Sequence, residues 1–141
     1  MEVRLAKDSE EVAEALELRR RVFWKEQGIR PQADRDGRDD RALHLIAYDG
    51  GALVGTCRII VAGDVAMLGR LAVDARDRRR GIGRAVLEAA ERSALEAGAR
   101  RVTLHAQVPA LEFYEKSGYS TCGEVFVEEG IEHVSMEKRL A

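Results

Sequence analysis

Apolar residues recur along the chain in two rhythms, alternation and helical spacing, and the switches between them mark its elements. VRLA at 3–6 reads as a short strand. Asp8, with Glu11 three residues on, makes a capping-box-like helix start. Val12, Ala15, Leu16, Leu18, Val22 and Phe23 follow at mostly helical spacing, which predicts a helix ending near Gly28. Residues 42–49 and 52–63 are strand-like and flank Gly50-Gly51, a β-hairpin signal; 65–74, after the Gly63-Asp64 turn, adds a third antiparallel strand. A long helix spans 81–97 and stops at Gly98, a plausible C′ glycine. RVTLHAQ at 101–107 is β-branched and apolar, a buried strand. Residues 109–118 form a short helix, opened by Pro109 and closed by Gly118. YSTCGEVFVEEG and IEHVSMEKRL make a final hairpin, with Thr121, Val125 and Val127 as strand positions and Gly123 hinting at a bulge.

The order β-α-β-β-β-α-β-α-β-β predicts an α/β (α+β) domain covering 1–141, a single mixed, mostly antiparallel sheet of about seven strands flanked by helices. Composition fits: 45% hydrophobic and 34% charged over 141 residues suits one soluble domain. A net charge of −2 gives no global pull toward nucleic acid or a membrane. Cys57 and Cys122 sit in apolar, strand-like contexts and are expected as buried thiols in a reducing compartment. MEVRLAKDSE lacks a signal-peptide core, and no apolar run approaches the roughly 20 residues of a membrane span, so a cytoplasmic location is expected.

Two stretches carry candidate chemistry. The loop 28–41 holds Asp34, Asp36, Asp39 and Asp40, without the spacing of a calcium loop, so no metal is expected. It is expected to be a solvated acidic loop that attracts a cationic amine. The other stretch places Arg78, Arg79 and Arg80 directly before Gly81-Ile82-Gly83 at a helix start. Positive charge beside the positive end of a helix is unfavourable unless an anion sits there. Uncapped N–H groups and close backbone approach at glycine suit a phosphate or pyrophosphate. The P-loop pattern is absent, and the third glycine of a dinucleotide fingerprint is missing.

LAVDARDRRRGIGRAVLEAA resembles the acyl-CoA-binding segment of the GNAT superfamily of N-acetyltransferases, with Arg78, Gly81 and Gly83 matching Arg/Gln-x-x-Gly-x-Gly/Ala. QVPALEFYEKSGY is similar to a second family block through Gln107, Ala110, Tyr114 and Gly118-Tyr119, with Gln in place of the usual Asn and Tyr in place of Phe. VFWKEQGI, Ala42-Leu43-His44 and GIEHVSM resemble the small ElaA-like branch. VF…EQG is also similar to acyl-homoserine-lactone synthases, which are usually longer.

The resemblance implies a GNAT-like fold and acetyl-CoA as co-substrate. Its pyrophosphate would rest on backbone N–H groups of Arg79, Arg80, Gly81, Ile82, Gly83 and Arg84, with Arg78 opening the motif. The pantetheine arm would run beside Leu71, Ala72 and Val73, and a backbone N–H there would polarise the thioester. Gln107 would stand near the pantetheine or the adenine. Tyr114 matches the usual general acid. For the general base, Glu26 at the end of the first helix is the first candidate, His44 and His133 follow, and a water chain is an alternative. His105 is read as a structural strand residue, and Phe23 and Trp24 as core. The implied activity is an acetyl-CoA-dependent N-acetyltransferase that acetylates a primary amine of a small molecule or peptide by direct attack. A catalytically silent coenzyme A-binding sensor or scaffold is the alternative. An RNA- or anion-binding domain lacks stacking aromatics near the arginines. A homodimer is carried as a candidate state.

Overall fold

The structure is a computed structural model describing residues 1–141. β1 (Glu2–Leu5) leads into α1 (Ser9–Arg19), and the start of that helix is capped as expected: Asp8 accepts from the Glu11 N–H at 2.9 Å. The Glu11 carboxylate turns back to accept from the Lys7 N–H at 2.8 Å and from the Arg4 guanidinium. The predicted single helix changes winding after Arg19. Arg20–Glu26 is a π-helical segment, closed by Gln27 N–H donating to the Val22 carbonyl at 3.1 Å. Wider winding places an extra residue in each turn, and Val22 and Phe23 are both buried.

A single helical turn, α2 (Pro31–Asp34), interrupts the 28–41 loop. The sheet follows: β2 (Leu43–Asp49), β3 (Ala52–Ala62) and β4 (Val65–Val73), then α3 (Ile82–Glu96), β5 (Arg101–Gln107), α4 (Leu111–Lys116), β6 (Ser120–Thr121), β7 (Phe126–Glu128) and β8 (Ile131–Arg139). Eight strands therefore stand where about seven were expected. The path runs β1-β2-β3-β4-β5-β8-β6, with β7 also on β8, and every pairing except β4–β5 is antiparallel. The extra strand arises because the first arm of the last hairpin is broken. Gly123 at φ 105 takes the chain off the ladder, which leaves Thr121 in β6, Val127 in β7 and Val125 in neither.

Two apolar clusters hold the layers. Ile82, Val86, Leu87 and Ala90 of α3 pack with Leu45, Ala47, Cys57 and Ile59 of the sheet. Leu18, Val22 and Phe23 pack with Ala72, and Trp24 flanks them half-buried. Gly55 on β3 lets α3 approach: a Cβ there would lie 2.8 Å from Ile82 Cγ2. Cys57 is buried, but Cys122 is exposed, because it falls in the break between β6 and β7. No helix is long and apolar enough to cross a membrane.

Candidate active site

β4 and β5 run side by side over only three pairs, Val65–Arg101, Ala66–Val102 and Met67–Thr103. Both strands continue, to Val73 and Gln107, without pairing further. A gap inside a sheet leaves strand backbone free for a ligand that adds as a strand would. β4 is also bulged. Thr56 faces Ala72 and Arg58 faces Gly69, so Arg70 and Leu71 together oppose Cys57. Arg70 takes φ 58, a region that non-glycine residues rarely enter.

The gap opens on a cavity of about 940 Å³. Leu71, Ala72 and Val73 line it from β4, Gln107 and His105 from β5, Tyr114 from α4 and His133 from β8. Val73, Arg78, Gly83 and Phe113 line both this cavity and a recess of about 360 Å³ at the start of α3. The recess is walled by Arg79, Gly81, Ile82, Gly83 and Arg84, with Lys116 and Ser117 opposite. Arg79 at φ 66 and Gly81 at φ 79 curl the chain here, and no side chain caps α3. Its first N–H groups are thus left for an external acceptor.

The arginine side chains do a different job from the backbone. Arg78 donates to the Val73 carbonyl at 3.1 and 3.2 Å and forms a two-pronged pair with Glu26. Arg80 pairs with Asp77 at 2.6 Å and with Asp49, and Arg84 pairs with Glu88 at 2.9 Å. Most of the run therefore pins the loop to its surroundings, and Arg79 alone of Arg78–Arg80 has no carboxylate partner. The passage is narrow beside Gly83, where an added Cβ would lie in ordinary contact with Phe113 at 3.5 Å and Val73 at 3.7 Å. An uncapped helix start joined to a slot between parted strands fits a pyrophosphate carrying a long thin arm.

The ionisable candidates separate sharply. Tyr114 is buried, stacked edge-on against Phe113 and Tyr119, and its hydroxyl has no partner in the protein. Burial pushes its phenol well above the usual range, which keeps it protonated. His133 is buried, and its Nδ1 lies 2.8 Å from the Ile131 carbonyl. A carbonyl only accepts, so Nδ1 carries the proton and a neutral ring has its lone pair on Nε2. That nitrogen is 4.0 Å from Glu128, and the other Glu128 oxygen is 3.4 Å from His105 Nδ1. Phe126 stacks on His133 and meets His105 edge-on. His44 lies away from the cavity lining and holds the Asp39 carbonyl through Nε2 at 2.8 Å. Glu26 and Arg80 also line neither space. The Arg78 guanidinium holds the Glu26 carboxyl below the usual range, which makes it a weak base. Gln107 donates to Gln27 at 2.8 Å, tying β5 to the end of the π segment.

The 28–41 loop is not the solvated acidic loop expected. Asp34 is 1% exposed and accepts from Arg19 at 3.0 Å and from the Trp24 indole at 3.1 Å. Asp36 takes both prongs of Arg58, at 2.6 and 2.8 Å, and Asp39 is shared by Arg19 and Arg58. Asp40 alone stays outside this network, exposed. The arginines that pair with these acids come from α1, β3 and β4, too distant in sequence for loop composition to reveal them. Glu128, Gln27 and Arg38 also line the cavity and were missed; only the position of Glu128 beside Phe126 in the final hairpin hinted at its reach to His133. No group of three metal-ligating side chains is present.

Known proteins share this fold. The acetyltransferase (GNAT) domain pattern matches residues 6–140. The Bacillus subtilis protein named Uncharacterized N-acetyltransferase YjcF is 33% identical over 98% of this chain and 99% of its own. An acyl-CoA N-acyltransferase from Pseudomonas aeruginosa superposes with a TM-score of 0.87 at 26% identity, covering 98% of this chain and 99% of that one. Escherichia coli ElaA superposes at 0.86 and 25%, covering 97% and 98%. GNAT enzymes transfer acetyl groups with acetyl-CoA as co-substrate, and by pattern, sequence and fold this chain belongs to the GNAT acetyltransferase family.

Proposed function

We propose that the protein transfers the acetyl group of acetyl-CoA to a primary amine of a small molecule or peptide by direct attack, as one domain spanning 1–141. The observation that carries this reading is the continuity of the uncapped α3 start with the β4–β5 gap and a cavity holding the free Tyr114 hydroxyl. The pyrophosphate rests on the backbone of Arg79–Arg84, and the pantetheine arm lies along Leu71–Val73. The Arg70–Leu71 bulge supplies the N–H that polarises the thioester carbonyl.

His133 Nε2 accepts a proton from the acceptor ammonium, directly or through a water, with Glu128 steadying the imidazolium. The amine lone pair then forms the new C–N bond as the C–S bond breaks. Tyr114 gives its proton to the departing thiolate, and the extra proton on the new amide nitrogen returns through solvent to the Tyr114 phenolate, which leaves a neutral amide and a neutral thiol. Burial matters here, since a phenol of high pKa stays protonated until an anion forms beside it. Glu26 holds Arg78 rather than acting as the base, and His44 holds the Asp39 carbonyl.

Thiol release over a panel of primary amines tests the reading. Tyr114→Phe should lower kcat about 100-fold, within the range of general acid catalysis, while the acetyl-CoA Kd stays put. Tight acetyl-CoA binding with no amine-dependent thiol release would favour a coenzyme A sensor instead.

A further inference from the structure

The cavity has a second end. Along β4, Val73 adjoins the α3 recess, and Met67 lies six residues back, about 20 Å at the rise of a strand. There the lining is Met67 and Ile60 with Arg38, Arg58 and Arg70. Four guanidinium groups meet in this quarter, counting Arg19 behind Arg58, against the three carboxylates of Asp34, Asp36 and Asp39. Arg58 is paired with both Asp36 and Asp39. Arg70 donates to the Ala33 and Asp34 carbonyls at 2.8 and 3.3 Å and to Asp36 at 3.3 Å. Arg35 adds further positive charge, 3.6 Å from Asp34 and over the Trp24 ring.

Arg38 is the one left over. It forms no ion pair, and its Nη2 meets only the Met67 sulfur, at 3.8 Å. Its Nε is the single buried side-chain nitrogen or oxygen in the protein without a hydrogen-bond partner. A buried unpaired donor is costly, and on a charged group more so. Nε and Nη2 form one edge of the guanidinium, two parallel donors at the spacing of a carboxylate. This edge, with Nε unpartnered and Nη2 on a weakly accepting thioether, suits a two-oxygen acceptor such as a carboxylate. The excess charge has a physical trace: burial first, and then the neighbouring Arg58, lower the Arg70 pKa.

Resting on the acetyl-transfer reading above, we propose that Arg38 binds a carboxylate of the acceptor, so that the substrate is an amine that also carries an acid group. The acceptor is then amino-acid-like, its amine toward His133 and Glu128 and its carboxylate on the Nε–Nη2 edge. Polycationic amines are disfavoured, because every carboxylate of the loop except exposed Asp40 is already held by an arginine.

The test uses calorimetric titration of the coenzyme A-loaded protein with N-acetylglycine, N-acetyl-β-alanine and N-acetyl-4-aminobutyrate, each against its primary amide. At least one acid should bind about 10- to 100-fold more tightly than its amide, as expected for a hydrogen bond to a charged group. Arg38→Met should erase that preference, leave the acetyl-CoA Kd in place and hold or raise the melting temperature; Arg38→Gln is the second variant if the first folds poorly. Equal binding of acid and amide throughout, no binding of any acid, or an acid preference that survives both variants would overturn the proposal. Because the titration needs no turnover, it answers even if no amine is acetylated. That last result would sink the acetyl-transfer reading separately.

Discussion

Gly55→Ala tests whether the close seating of α3 on the sheet sets up the anion cradle. The added Cβ would stand 2.8 Å from Ile82 Cγ2 and 3.2 Å from Val86 Cγ2. Carbon atoms in contact prefer about 3.5–4.0 Å, so the Ile82 methyl must retreat by about 1 Å. Ile82 is 2% exposed and Val86 0%, which leaves no free space to turn into. A β-branched side chain on a helix is stiff at χ1, so Cγ2 cannot swing away alone and the helix start must move with it. Overpacking of this size costs about 1–3 kcal/mol. For a domain of this length the melting temperature should fall by about 3–10 °C. Ile82 is also the first residue of α3 and lines the recess, so acetyl-CoA should bind about 10-fold more weakly as its backbone contacts loosen. Denaturant unfolding and calorimetry read the two effects. Ile82→Leu removes the clashing methyl while keeping the volume, and in the double variant it should recover about 1 kcal/mol or more of the loss. A Gly55→Ala protein within about 0.5 kcal/mol of the parent, with unchanged acetyl-CoA affinity, would show that the seating of α3 does not set the cradle.

Three further outcomes follow from the site. Glu26→Gln should leave the pH–rate profile in place, whereas His133→Gln should lower kcat about 100-fold as a lost general base; a profile altered by the first and not by the second would reverse the two roles. On acidification, the Arg58 hydrogen bond keeps Asp36 well below the usual carboxylate range, and Arg4 holds Glu11 at about 2. Both are depressed on folding, so their stabilisation is complete above the unfolded values near about 4 and is lost as pH falls through the folded ones. Melting temperatures should be level from neutral pH and drop below about pH 4; a level curve further into acid would count against these pairs. Under native conditions iodoacetamide should modify Cys122, which is exposed and lines the cavity, and spare Cys57, whose thiol burial pushes up. Saturating acetyl-CoA should slow the reaction at Cys122, and an unprotected rate would place the ligand elsewhere.

Local signals were the readable ones. The Gly50-Gly51 hairpin, the Asp8 cap, the helix to Gly98 and the glycines at 81 and 83 all write their geometry into neighbouring residues, and each lies where the residues imply. What stayed hidden depends on partners far along the chain. The bulge at Arg70–Leu71 is a register event between β3 and β4, and nothing in VAMLGRLAVD announces it. The π winding after Arg19 accompanies the packing of Val22 and Phe23 on Ala72, and no residue of RRVFWKE announces it. The aspartates of the 28–41 loop look solvated until Arg19, Arg58 and Arg70 are brought beneath them. For the same reason the helix-end position of Glu26 favours it from sequence over His44 and His133, whereas the hydrogen bond on each and its place relative to the cavity favour His133.

The proposed seat of the acyl-CoA pyrophosphate is the start of α3. The most direct measurement is the acetyl-CoA-induced rise in melting temperature for the parent and for Gly81→Asp. That change sets a carboxylate in the recess at a position with φ 79. At about 100 times its Kd the ligand should add about 2.7 kcal/mol to the parent, a rise of several degrees. In the variant, each melt referred to its own ligand-free protein, the rise should vanish. No rise in the parent, or an equal rise in both, would contradict the claim.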